Sequence, residues 1–237
     1  MKKLFFIIIA GLLLAGCSHT NELAKFNVNG SSMLFKNYVS REAGTIQIAY
    51  PQTDSKNQKD KKEDKGILEK IASLGTELLN ASKTSDIKDW VDTKAIAEDL
   101  SDGMEQTLKE YINIKRINSI EENPAFIVET TLEKCVLNVT ENGVTLKLTA
   151  YVSIRERGTG SLAWENIENE DVPINYDSHY GSKTKNSSTE SKILTAVQLN
   201  SLSKKELNSC IETAVESVGR SMGDTFREDL AEANKKK

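Results

Sequence analysis

The sequence predicts an α+β fold: a mostly antiparallel four- to five-stranded sheet covered by two or three helices, the last of them long and C-terminal. Three observations carry this expectation. Val144, Leu146, Leu148, Ala150, Val152 and Ile154 alternate with Thr145, Lys147, Thr149, Tyr151, Ser153 and Arg155, the pattern of a strand with one face in a core and the other in water. Turn signals flank that run, Glu141-Asn142-Gly143 before it and Gly158-Thr159-Gly160 after it, so its neighbours return beside it. Leu207, Ile211, Ala214, Val218, Met222, Phe226 and Leu230 recur at helical spacing behind Ser203-Lys204-Lys205-Glu206, a capping box.

The chain opens on Lys2 and Lys3, followed by an uncharged apolar run from Leu4 to Gly16. Thirteen residues fall short of the roughly 20 that a membrane-spanning helix needs. The run has the length of the apolar region of a signal peptide. It closes with Leu14-Ala15-Gly16-Cys17, which resembles the lipobox of bacterial lipoproteins. The resemblance implies that residues 1–16 are a signal peptide and that Cys17 becomes a lipidated N-terminus. Its sulfur would carry diacylglycerol and its amine an acyl chain such as palmitate. Small Ala15 and Gly16 give a peptidase access to the bond before Cys17. A plain secreted protein with a chance cysteine at the cleavage site would leave two mutually supporting patterns as coincidence. Acyl chains contribute about 0.8 kcal/mol per buried methylene, and two chains anchor stably. No other cofactor and no metal is implied.

Residues 17–30 read as the lipidated N-terminus and a flexible tether, and residues 31–237 as a single α/β domain. Within it, Met33 to Val39 and Thr45 to Tyr50 predict short strands, the second ending at Pro51. Thr53 to Lys65 mixes lysines with acids and holds no apolar residue, so it reads as a charged loop. Ile67, Leu68, Ile71, Leu74, Leu78 and Leu79 have helical spacing. So do Ile96, Leu100, Met104, Leu108 and Tyr111, behind a cap at Asp92 or Thr93, with Ser85 to Val91 as a helical turn or lead-in.

Asn113 to Ile120 predicts a strand, Glu121 to Pro124 a turn, and Ala125 to Val139 a long strand. The apolar phase of this last strand slips. Phe126, Val128 and Leu132 are even, whereas Cys135, Leu137 and Val139 are odd, and a bulge near Glu133-Lys134 would repair the slip. Leu162 to Ile174 returns as a strand around Trp164. Asp177 to Glu190 is rich in Ser, Lys and Asn and reads as a loop, followed by a short helix or extended piece near Ile193 to Leu199.

This order of elements resembles a group of periplasmic lipoproteins with a small α/β domain. The group includes the curli-secretion lipoprotein family and the lipoprotein activators of penicillin-binding proteins. Their main helix has the form Ile-Ala-x-x-Leu-x-x-x-Met/Leu-x-x-x-Leu, matched here by Ile96-Ala97-Glu98-Asp99-Leu100 through Met104 to Leu108. Their hairpin reaches a Thr-Gly-x-x-x-Trp turn, matched by Thr159-Gly160-Ser161-Leu162-Ala163-Trp164. The auxiliary lipoproteins of lipid-handling ABC transporters are similar in outline. These families act through surfaces, so the resemblance assigns no functional residue.

The net charge of −4 becomes −6 without Lys2 and Lys3, which argues against nucleic acid as a partner. His19 and His179 are the two histidines of the chain. The first reads as part of the tether and the second, near Asp177, as part of a polar loop. No zinc-protease, nucleophile-elbow or phosphate-loop motif occurs. Cys135 has no evident base for nucleophilic work. Cys135 and Cys210 would be in an oxidising compartment and are a candidate disulfide, against two small buried hydrophobes.

Glu165, Glu168, Glu170 and Asp171 cluster on one strand and define the alternative function, a carboxylate-based envelope glycan hydrolase or glycan-binding lipoprotein. Trp164 with Tyr151 is a candidate partner contact if exposed. The leading expectation is a non-enzymatic accessory or scaffold subunit of a cell-envelope machine for secretion, lipid transport or wall synthesis, with a protein partner in the envelope. By resemblance to enteric bacteria, Ser18 in place of Asp after the lipid cysteine implies the outer membrane, and the absence of an acidic run after Cys17 implies its periplasmic side.

Overall fold

The computed structural model describes residues 19–49, 82–140, 143–174 and 199–236. The lipobox, the charged stretch at 53–65, the helical spacing at 67–79, the hairpin tip at 141–142 and the polar stretch at 177–190 lie outside the described residues. In chain order the elements are β1 (Thr20–Asn21), β2 (Ser32–Val39), β3 (Gln47–Ala49), α1 (Thr93–Ile112), β4 (Lys115–Ile117), β5 (Phe126–Thr140), β6 (Gly143–Glu156), β7 (Leu162–Ile174) and α2 (Lys204–Lys235). Residues 82–90 are also helical.

The sheet is mixed and has seven strands, in the order β1-β7-β6-β5-β2-β4, with β3 also on β5. The expected four or five mostly antiparallel strands hold only for its centre, where β5, β6 and β7 form a meander. β2 runs parallel to both β5 and β4. The chain crosses one face of the sheet as helix between β3 and β4, and such a crossover brings it back pointing the same way. β1 and β4 are two and three residues long, too short to register as a periodicity. The strand expected at Asn113 to Ile120 contracts to β4. A 3-10 turn follows at Ile120–Glu122, capped by Ser119 and ending on Asn123 at φ 58°.

The phase slip in β5 is a bulge: its register with β6 shifts between Leu132 and Lys134. Phe126, Val128 and Leu132 before it, and Cys135, Leu137 and Val139 after it, therefore face one side and are all buried. The bulge also divides the other edge of β5. β2 pairs with it up to Leu132, and β3 pairs from Val136. Ser40 fastens the junction. Its N–H donates to the Leu132 carbonyl (2.9 Å), and its hydroxyl donates to the Glu133 carbonyl (2.7 Å).

Both long helices lie on the apolar face. Asp92 caps α1 by accepting from the N–H groups of Lys94 and Ala95 at 3.0 and 3.2 Å. Asn113 ends it in the left-handed region at φ 48°. The Ser203 capping box opens α2 as the sequence predicts. α1 packs over β2 and β5, α2 over β7 and β6, and the two helices pack on each other. They are close at Gly223 of α2, where a Cβ would lie 3.0 Å from the Thr107 hydroxyl of α1.

The segment expected as a tether is part of the fold from His19 onward. β1 pairs antiparallel with β7, Leu23 is 1% exposed and Val28 is 3% exposed. Apolar residues spaced this sparsely show no period, yet Leu23, Phe26 and Val28 all join the core or pack against it.

Thr130 sits on the buried face of β5 between Val128 and Leu132. Among the described residues its hydroxyl is the buried side-chain polar atom without a hydrogen-bond partner. Thr130→Val keeps the shape and removes the unsatisfied group, so it is expected to stabilise the fold by about 1 kcal/mol. Urea unfolding midpoints of the two proteins test this, and a destabilised variant would contradict it.

Candidate functional site

Two neighbouring features stand out once side chains are placed: an anchoring knot around Asp229, and a band across the uncovered face of the sheet. Asp229 is on α2 and only 8% exposed. Its Oδ2 accepts from Trp164 Nε1 at 2.7 Å and lies 3.3 Å from His19 Nε2. Its carbonyl accepts from Asn21 Nδ2 at 3.0 Å. A buried carboxylate has to be hydrogen-bonded, and here its partners come from β7 and from the N-terminal segment. The Trp164 ring meets Phe226 edge to face, with centroids 5.4 Å apart. A second carboxylate extends the knot to the other side of β7. Glu165 accepts from the Thr20 hydroxyl (2.9 Å) and from the Tyr151 phenol (2.5 Å). Partial burial, and then this hydrogen bond, push the Tyr151 pKa above its ordinary 10.0.

No described element covers the second face of the sheet. There the registers place Tyr38 of β2 opposite Thr131 of β5, Thr131 opposite Tyr151 of β6, and Tyr151 opposite Ile167 of β7. The four residues form one row across four strands. Tyr38 and Ile167, at its ends, are 44% and 38% exposed, among the largest exposures of any bulky apolar residue described. The adjoining rows are polar: Lys36, Glu129, Ser153 and Glu165 on one side, Lys134, Thr149 and Asn169 on the other. An aromatic and aliphatic strip with a charged rim is the composition of a protein contact.

The residues singled out from sequence fare differently. Leu14, Ala15, Gly16 and Cys17 lie outside the described residues, as do Asp177 and His179. Tyr151 is on the band. Trp164 is not, because it is fully buried and its indole belongs to the Asp229 knot. The parity of β7 decides this: Trp164 shares the α2 side with Glu168 and Glu170, while Ile167 takes the open side. His19, expected to be unsupported in a tether, is held against Asp229.

Cys135 and Cys210 are free thiols and form no disulfide. Cys135 is on β5, and Cys210 is on α2 above Val172 of β7, to whose carbonyl its thiol donates at 3.6 Å. The acidic cluster is dispersed. Glu165 and Asp171 face the open side about 20 Å apart along the strand, beyond glycosidase spacing. Glu168 faces α2, where its Oε1 accepts from Asn166 (2.8 Å) and from Thr225 (3.3 Å). Among the described residues no group of three or more His, Cys, Asp or Glu is placed to hold a metal ion.

Sequence reasoning missed Asp229, Tyr38 and Ile167. Asp229 carried a usable signal, a carboxylate one turn from Phe226 on an otherwise apolar stripe. Ile167 carried another, an apolar residue on the polar phase of its strand.

No protein-family model matches the sequence, and no curated protein matches it. Solved structures resemble it only distantly. PelC of Paraburkholderia phytofirmans, solved as a dodecamer, is 9% identical with a TM-score of 0.34, over 81% of this chain and 96% of that one. Protein XCC0632 of Xanthomonas campestris is 6% identical with a TM-score of 0.39, over 86% and 88%. Lipoprotein GNA1162 of Neisseria meningitidis is 12% identical with a TM-score of 0.24, over 62% and 88%. At these values neither sequence nor shape carries a function across.

Two outcomes are expected of the knot and the thiols. Asp229→Ala strands a buried indole N–H and frees His19. It should cost about 1–3 kcal/mol, lowering Tm by roughly 2–4 °C per kcal/mol, and should speed tryptic cleavage at Lys25. Unchanged melting and cleavage would remove the knot from the account.

Burial raises the Cys135 thiol to about 12 and the Cys210 thiol to about 11, from an ordinary 9.0. Above pH 9 the unfolded chain gives up these protons first. The thiols' contribution to stability is therefore complete below pH 9 and falls as pH rises towards 12. Urea midpoints of wild type and Cys135→Ala should converge between pH 8 and pH 10.5, and a difference independent of pH would contradict the assignment.

Proposed function

We propose that the chain is a membrane-anchored lipoprotein acting without catalysis, as an accessory or scaffold subunit of a cell-envelope machine for secretion, lipid transport or wall synthesis. The observation that carries this reading is a junction. Leu14-Ala15-Gly16-Cys17 is followed, two residues later, by a folded body that begins at His19. The apolar run before Cys17 is too short to span a bilayer, and no described helix is long and apolar enough to cross one. Lipid on Cys17 would therefore supply the membrane attachment, on the periplasmic face of the outer membrane. The described residues bring together no group of three or more His, Cys, Asp or Glu that could hold a metal ion. They do present the strip from Tyr38 through Tyr151 to Ile167. That strip crosses about 14 Å of sheet, wide enough to seat one element of a protein partner.

Mechanistically the protein would position rather than transform. The anchor confines the domain to the membrane surface, where effective concentration favours even a weak contact. Rigid strands hold Tyr151 and Ile167 at fixed spacing, so little entropy is lost when a partner docks.

Cys17→Ser is expected to move the protein from the membrane fraction to the soluble fraction. A photo-crosslinking residue at Tyr38 or Thr131 should capture the same envelope protein in cells, whereas one at Glu98 on the exposed side of α1 should not. Equal capture from all three sites, or from none, would overturn the assignment of the face.

A further inference from the structure

We propose that the N-terminal segment is a clip that lays the β7 edge of the domain against the bilayer, so that the Tyr38–Ile167 strip stands upright on the membrane with Ile167 at its foot. The proposal rests on lipidation of Cys17, the reading given above.

Consecutive residues after the lipid site are each tied to a distant part of the chain. His19 meets Asp229, the Thr20 hydroxyl donates to Glu165, and the Asn21 amide donates to the Asp229 carbonyl. Glu22 N–H donates to the Ala163 carbonyl at 2.9 Å, and Leu23 follows into the core. Two residues of chain span at most about 7 Å. The lipidated residue is therefore within that distance of His19, at the edge formed by β7 and α2. A free tether of residues 17–30 would instead have given a reach of about 20 Å and no preferred face.

The direction of the chain sharpens the placement. Asn21 lies opposite Trp164 and Thr20 opposite Glu165. From Asn21 back to Thr20 the chain therefore moves along β7 in the direction of Ile167. Ile167 is two residues beyond Glu165, about 7 Å, and its side chain is exposed. An exposed aliphatic side chain at that height suits the boundary between headgroups and acyl chains. The surrounding strand carries Glu165, Glu168, Glu170 and Asp171, with Lys147 opposite Asp171 at 3.6 Å. An acidic edge of this kind is compatible with zwitterionic headgroups and is repelled by anionic ones. Tyr38 lies three strands further on, about 14 Å from the membrane end of the strip.

The test uses the full lipoprotein in phosphatidylcholine vesicles that contain a headgroup spin-label quencher. Fluorophores are attached at Ile167→Cys in one sample and at Tyr38→Cys in another. Cys135 and Cys210 are buried, and the Cys17 sulfur would be blocked by lipid, so neither competes for label. Quenching is expected to be several-fold stronger at position 167 than at 38. A long Gly/Ser linker inserted between Ser18 and His19 should abolish that difference while the protein stays on the vesicle. Equal quenching at both positions in the native chain, or stronger quenching at 38, overturns the clip. Mass spectrometry of the N-terminal peptide separates the two readings. An unmodified Cys17 sinks the lipoprotein assignment and the clip with it, whereas a lipidated Cys17 with equal quenching sinks the clip alone.

Discussion

A strand of fifteen residues cannot keep one face apolar if its pattern changes parity halfway, and the bulge at Glu133 is what resolves this for β5. By absorbing one residue it returns Cys135, Leu137 and Val139 to the side already occupied by Phe126, Val128 and Leu132. The neighbouring β6 alternates without a break, so the two strands together present a continuous apolar platform. The same extra residue ends the pairing with β2 and admits β3 further along the edge. Ser40 is the fastener, binding the carbonyl of Leu132 and that of the bulged Glu133. Without the bulge, the second half of β5 would turn Cys135, Leu137 and Val139 to solvent.

An apolar platform on one side needs a roof on that side only. α1 and α2 supply it and meet closely enough for Gly223 to abut Thr107. The consequence is functional as much as architectural. All covering elements among the described residues lie on one face, so the other is left to polar rows and to the single strip that ends in Tyr38 and Ile167. Asp229 ties the roof to the sheet edge. It reaches from the roof to Trp164 in the sheet and to His19 in the N-terminal segment, so that core, sheet edge and chain start share one buried carboxylate.

The candidate site was legible in unequal measure. Tyr151 was visible because it occupies a polar phase in an unbroken alternation. Trp164 is a partner contact only if exposed, and the parity of its strand puts it in the core instead. Sequence supplies two cysteines and no distance, so it leaves Cys135 and Cys210 as a candidate disulfide or two small buried hydrophobes, and the fold makes them two buried free thiols. The N-terminal segment looked like a tether because docking a short segment needs only Leu23, Val28 and a few side-chain hydrogen bonds, none of which repeats.

What the sequence by itself determined follows from local chemistry. The alternation of β6, the bulge in β5, the Asp92 and Ser203 caps and the stripe of α2 each depend on residues within a turn or two of one another. What only the tertiary structure decided depends on which strands lie side by side. The parallel pairing of β2 with β5, which brings Tyr38 into the row that ends at Ile167, and the attachment of His19 to Asp229 join residues 93 to 210 positions apart. No periodicity extends over that distance. Such contacts are selected by the burial of the whole apolar face at once, a property of the assembled sheet and not of any segment in it.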